Sequence, residues 1–374
     1  MIALSALDIL FWILILTLAC VVYAVEDGLA MRHRGLVFTT MLSIVVSCSY
    51  IMLGLDHAPA YAIKAPDPSV PAADKLVIVE VNDEEAERAR SEAAEKRKLA
   101  AQAAREPAIK GIFQDCDGCP AMMSLAVSAF SMGSPTNEPG RQETEGPTGI
   151  DIAKAFAIGR FEVTISEFAQ FVTETRHVIN SSCTHAGAVS RYSNWQSPGF
   201  EQNSRHPVTC ITWYDAKAYT VWLSRKSGKT YRLPSEAEWE FAARAGSTSA
   251  YWSGDKIGPG QANVGSYRDG TIPVGFFGAN RFGLADMHGN VAELVADCWN
   301  DDLSYVATDG RPQLLSGNCN KRIMRGGGWN SSVANARSAA RVPVSDTAAS
   351  TEMGFRVART FDEDDRENRL RLRK

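Results

Sequence analysis

The stretch Arg325 to Arg341, RGGGWNSSVANARSAAR, gathers residue types suited to a close-contact site. Glycines allow positive φ and let the backbone approach a ligand or another chain. Trp329 brings apolar area with one donor, Asn330 and Ser331 bring adaptable hydrogen bonds, and Arg325, Arg337 and Arg341 bring planar forks for carboxylates or carbonyls. What is missing sets the limit on chemistry. The segment holds no cysteine, histidine or carboxylate, so neither nucleophilic, acid–base nor thiolate-metal catalysis can run from it alone. Two readings follow. In one, Trp329, Asn330, Ser331, Arg337 and Arg341 line a groove for a protein or peptide partner. In the other, the arginines satisfy buried loop carbonyls and Trp329 plugs the core.

The rest of the chain adds little catalytic machinery. Its histidines, His33, His57, His177, His185, His206 and His288, form no HxxxHxE pattern, and no P-loop, GxGxxG or Ser/His/Asp arrangement stands out. Cys20 and Cys48 fall in apolar runs, leaving Cys116, Cys119, Cys183, Cys210, Cys298 and Cys319. An even number suits an oxidising compartment. Pairing 183 with 210 and 298 with 319 closes loops of moderate length and is the expected connectivity. For CDGC, Cys116 and Cys119, a local disulfide or a redox-active dithiol is expected. A zinc site is not, because no second CxxC or HxxxH supplies the remaining ligands.

The elements that must carry these residues begin in a membrane. Residues 9–25, ILFWILILTLACVVYAV, and 36–55, LVFTTMLSIVVSCSYIMLGL, are free of charge and long enough to span. Arg32, His33 and Arg34 lie between them and no basic residue precedes the first run, so the positive-inside rule places that loop in the cytoplasm and both termini outside. The expected location is an inner membrane with the C-terminal domain in the periplasm. Residues 1–56 therefore read as two spans and 57–110 as a Pro/Ala-rich linker with a charged helical stalk over 84–105. Residues 111–361 read as a globular domain, followed by a charged tail over 362–374. A net charge of −4 argues against nucleic acid as a partner.

Within the domain, helices are expected where capping signals precede an apolar face. Thr164 with Glu167 opens one, Ser235 with Glu238 opens another that ends at Gly246, and a third starts at Asp215 and stops at Gly228. Short strands and long loops make up the remainder. The fold class is α+β with irregular β structure.

The segments SMGSP, GRFEVTISEFAQFV, HPVTCITWYDAKAYTVWLSRKSGKTYRLPSEAEWEFAARAG, NRFGLADMHGNVAE, RIMRGGGWN and MGFRVAR, in this order, make residues 111 to 361 resemble the formylglycine-generating enzyme family, the sulfatase-modifying factor domains. The resemblance implies a C-type-lectin-like fold. In catalytic members, a cysteine pair shortly after a GGS motif binds copper and drives oxygen-dependent oxidation of a substrate cysteine. Here Gly328 stands at the serine and no cysteine follows, so no copper is expected. The three-histidine iron site of the related sulfoxide synthases is likewise unsupported. Two tryptophans usual in the family's GNVWEW segment are replaced by Ala292 and Leu294. The resemblance further implies structural calcium, at Asn290, the Val291 carbonyl and Glu293, and at Asn263, the Val264 carbonyl and Asp269; turn and cap roles are the other reading of these residues. The functional expectation is a membrane-anchored binding or accessory module. The alternative is an oxidoreductase of this family using an unidentified metal site.

Overall fold

The computed structural model describes residues 111–365 apart from 180–181, 186–187, 191–192 and 315–316, together with six residues between 87 and 94. Those six, from Glu87 to Ala94, are helical and exposed. Both apolar runs lie outside the described residues. Among the described residues, no helix is long and apolar enough to cross a membrane.

Three helices form where the caps dictate. Helix α1, Ile165–Thr175, opens on a complete capping box, with Thr164 Oγ1 accepting from Glu167 N and Glu167 accepting from Thr164 N. Helix α2, Trp213–Ser227, opens on Thr212, with Asp215 as the reciprocal acid three residues on. The start expected at Asp215 is thus two residues late: Asp215 serves the cap from inside the helix, and Gly228 ends it at φ 67°. Helix α3, Glu236–Arg244, opens on Ser235 with Glu238 and leaves its axis at Ala245 and Gly246, both with positive φ. All nine residues of α3 are buried, including three glutamates and an arginine, so its polar face has to be matched by protein and not by water.

Strands β1 (Ile112–Phe113), β2 (Met122–Leu125), β5 (Phe156–Gly159), β14 (Ala358–Thr360) and β8 (Thr230–Arg232) form an antiparallel sheet in the order β1-β2-β5-β14-β8. A second sheet carries the motif region. Its order is β11-β10-β9-β13, from Val342–Ser345, Asn318–Arg325, Ala292–Trp299 and Met353–Gly354, with only the β13–β9 pair parallel. Smaller sheets join β3 (Ala129–Met132) to β4 (Thr148–Asp151), and β12 (Ala349–Ser350) to β6 (Cys183–His185) and β7 (Ala188–Ser190).

Two large apolar cores result, beside a smaller cluster around Tyr251, Val264 and Ala336. One gathers Phe168 and Phe171 of α1, Tyr219 and Trp222 of α2, and Phe355; the other gathers Trp239 of α3 with Phe156, Leu284, Met287, Trp299 and Ile323. Every residue of β9 is buried. Ala292 and Leu294 therefore sit in packed interior, and the smaller side chains at these positions alter the core and not an open surface. All three disulfides form as expected, Cys116–Cys119, Cys183–Cys210 and Cys298–Cys319.

Candidate functional site

Strand β10 delivers Arg325, and the chain then turns sharply at Gly326 and Gly327, φ 82° and 66°. A Cβ at Gly326 would come within 2.9 Å of the Trp239 ring, and one at Gly328 within 2.6 Å of the Glu352 carbonyl. The close approach that glycine permits is spent on the protein's own chain. Trp329 follows the same logic. It is 5% exposed, its Nε1 donates to the Thr351 carbonyl at 2.9 Å, and its ring lies against Phe200 and His185 at 5.5 and 6.0 Å. Of its two readings the structure gives the buried one.

Asn330 and Ser331 form a partly exposed lip beside it. Ser266 Oγ donates to Asn330 Oδ1 at 2.5 Å, and Asn330 Nδ2 donates to Glu352 at 3.2 Å. Backbone bonds from Gly265 to the Ser331 carbonyl and from Ser266 to the Trp329 carbonyl tie the two loops together. Tyr267, 45% exposed, continues this surface.

The arginines turn inward, which corrects the groove role expected for Arg337 and Arg341. Arg337 is 1% exposed and donates to Glu138 at 2.6 Å, to both oxygens of Glu145 at 2.7 and 2.8 Å, and to the carbonyls of Gly140 and Ala334. No donor remains for a partner. Arg341 is held by both oxygens of Glu236 at 2.6 and 3.0 Å, by two carbonyls, and over the Trp299 ring. Arg325 pairs with Glu240 and donates to the carbonyls of Ser338, Ala339 and Ala340. Burial disfavours the Glu145 carboxylate, yet bonds from Arg337 and Ser134 with the Arg337 charge hold its pKa below the usual range.

The residues expected to hold calcium come together only in part. Asn290, at φ 63°, donates its backbone N–H to the Asn263 carbonyl at 2.7 Å, so the two expected sets meet at one place. Glu293 is committed elsewhere: Arg356 clamps both its oxygens at 2.6 Å and Trp239 Nε1 adds a third bond at 2.7 Å. Asp269 is exposed, whereas Asn263, Val264 and Val291 are buried. Among the described residues no group of three His, Cys, Asp or Glu converges to hold a metal ion. Buried acid nevertheless exceeds buried base here. Burial and the charges of Asp286 and Glu293 push Glu162 up, and burial pushes Asp286 up to about 6 against the pull of a Gly275 N–H bond and Arg356. Asn263 Oδ1 is buried with no hydrogen-bond partner.

Both motif histidines are structural. His206 Nδ1 meets Thr271 Oγ1 at 3.0 Å. His288 lies with Nδ1 2.8 Å from the Ala336 carbonyl while Nε2 accepts from Trp252 N at 3.1 Å. That pair of partners demands the neutral Nδ1–H tautomer. Burial lowers its pKa to about 4, against the opposing Ala336 bond.

Against this geometry, the model of the "Sulfatase-modifying factor enzyme 1-like domain" matches residues 110–361. The chain belongs to that family. A formylglycine-generating enzyme of Mycobacterium tuberculosis is 33% identical over 226 residues, covering 46% of this chain and 72% of that protein. An inactive C-alpha-formylglycine-generating enzyme 2 of Bos taurus is 29% identical over 285 residues, covering 63% and 87%. The solved structure of PvdO from Pseudomonas aeruginosa superposes with a TM-score of 0.62 at 36% identity, covering 69% of this chain and all of that one, 100%. Relatives of this sulfatase-modifying-factor domain thus carry both active and inactive names.

Sequence reasoning missed the acids that neutralise the arginines. Glu236 and Glu240 stand four apart in PSEAEWEF and so share a helix face, a pattern that does not tell a buried acidic face from a solvated one. Glu138 and Glu145, Arg356, and the acids Glu162 and Asp286 left no periodic signal, because their meeting depends on loops distant in sequence.

Proposed function

We propose that this domain is a binding or accessory module of its family, anchored by two membrane spans on the outer face of a bacterial inner membrane, and not a copper-dependent formylglycine-generating oxidase. The observation that carries the reading is the fate of the reactive groups: all six cysteines of the domain are paired in disulfides, and the segment after Arg325 holds none. A disulfide sulfur is no thiolate, and copper(I) requires thiolates. The bovine relative's name, inactive, agrees with it. The contact surface is the lip of Asn330, Ser331, Ser266 and Tyr267, polar groups around one exposed aromatic ring, which suits a protein or peptide partner. Calcium, in this reading, is structural and sits by Asn263 and Asn290, where the orphaned Asn263 oxygen and the surplus of buried carboxylate favour a cation; Glu293 and Asp269 take no part.

The decisive test incubates the purified protein with copper, oxygen and a cysteine-containing sulfatase peptide, and measures bound metal in parallel. The peptide should emerge unmodified and the protein without stoichiometric copper or iron. Formylglycine in the peptide, or either metal at one equivalent, overturns the reading and restores the oxidoreductase. A reporter fused after Asp56 should register as exported; a cytoplasmic signal removes the placement.

A further inference from the structure

The three disulfides differ in what surrounds them. Cys183 and Cys210 are 0% and 1% exposed, so no external thiol reaches either sulfur. Cys116 is partly exposed, but the exposed Asp117 beside it repels an approaching thiolate. At the third, Cys319 is partly exposed and stands two residues from the exposed Lys321, while Cys298 is 1% exposed. The β9–β10 register sets Arg322 directly opposite Cys298. Its Nη1 lies 3.3 Å from Cys298 Sγ and 3.2 Å from the Ala296 carbonyl, and the guanidinium is pinned 3.8 Å over the Trp213 ring. Arg322 is itself 8% exposed, and its Nε has no hydrogen-bond partner. A buried cation with donor capacity to spare therefore rests on one sulfur of the pair and not on the other.

We propose that Cys298–Cys319 is an exchangeable disulfide and that Cys319 is a site of S-thiolation by low-molecular-weight thiols. An external thiolate attacks Cys319 Sγ, forming a mixed disulfide as the Cys298–Cys319 bond breaks. The electron pair of that bond leaves on Cys298 Sγ, whose thiolate charge Arg322 stabilises. A second thiol attacking the mixed disulfide releases the external disulfide and leaves Cys319 reduced, so two thiols supply the two electrons. Attack in the reverse sense is blocked by the burial of Cys298, and among the described residues the guanidinium of Arg322 rests on Cys298 Sγ and not on Cys319 as a leaving sulfur. The Leu314 carbonyl lies 3.4 Å from both sulfurs and so does not select between them.

The test exposes the oxidised full-length protein to graded glutathione under native conditions, traps thiols by alkylation and maps the adducts by mass. The glutathione adduct should appear on Cys319 with a free thiol on Cys298, on the order of tenfold faster than any opening of the other two pairs. Arg322→Met should slow this step by about tenfold while Cys116–Cys119 keeps its rate, and Arg322→Lys, which retains the charge, should restore most of it. An adduct on Cys298, prior opening of Cys116–Cys119, or an Arg322→Met rate equal to that of the unaltered protein overturns the proposal. The position of the adduct in the unaltered protein decides it even if the methionine variant does not fold.

Discussion

Within seventeen residues, 325–341, the same segment builds two unlike surfaces. Its first half, Asn330 and Ser331, ends at solvent with bonds to neighbouring loops, while its second half, Arg337 and Arg341 with Arg325 before the turn, is locked into glutamates from three other parts of the chain. The contrast shows that an arginine's role is set by whether an acid of its own chain reaches it first. A guanidinium with all donors spent inside has nothing to offer a partner. A side-chain amide half in water still does.

The inward half should be the costlier to disturb. Arg337→Ala strands Glu138 and Glu145, 5% and 0% exposed as side chains, and an uncompensated buried charge typically costs about 3–5 kcal/mol. Denaturant unfolding should place this loss at about 4 kcal/mol. A value under about 1 kcal/mol would mean that the clasp is not a support. Trp329→Ala should come next, at about 3 kcal/mol, from the lost packing against Phe200 and His185 and the lost bond to Thr351.

This split also measures what the sequence can disclose. The helices were legible because a capping box is local: its donor and acceptor stand three residues apart, and both α1 and α3 open where those pairs predict. The disulfides were legible because loop economy is arithmetic. The direction of Arg337 was not, since its acids lie 199 and 192 residues away in the chain and nothing in their own surroundings marks them as buried. Gly326 and Gly328 announced a close approach without naming what approaches. The family resemblance named Asn290, Glu293 and Asn263 as residues expected to hold calcium and missed that Arg356 claims Glu293.

A pH experiment sharpens the comparison from another side, because His288 binds the Ala336 carbonyl in the turn that precedes Arg337. Its folded pKa of about 4 is below the ordinary value of 6.5. Its contribution is therefore complete above pH 6.5 and is lost as pH falls toward 4. Asp297 runs the other way. Burial and the Glu236 charge raise it from 3.8 to about 7, against bonds from the Gln313 and Glu236 N–H groups, so its contribution is complete below 3.8 and is lost as pH rises through 7. Total stability mixes both slopes, and a difference isolates one. The stability gap between the unaltered protein and His288→Gln should be on the order of 2 kcal/mol above neutral pH and shrink as pH falls. A gap that stays constant from pH 7 down to 4 would falsify the neutral-imidazole assignment.

The smallest effect is expected at the lip, and it bears most directly on function. Asn330 is partly exposed, and its two side-chain bonds, to Ser266 and Glu352, join groups that water can reach. Such a bond contributes about 1 kcal/mol or less, because water replaces the lost partner. Asn330→Ala should therefore cost under about 1 kcal/mol in the same unfolding experiment, several-fold less than Arg337→Ala seven positions on. A contact surface has to be free of structural duty, since side chains that hold the fold together cannot rearrange toward a partner without loss of stability. If Asn330→Ala proves as costly as Arg337→Ala, the lip is an extension of the clasp, and the surface proposed for a partner is no surface at all.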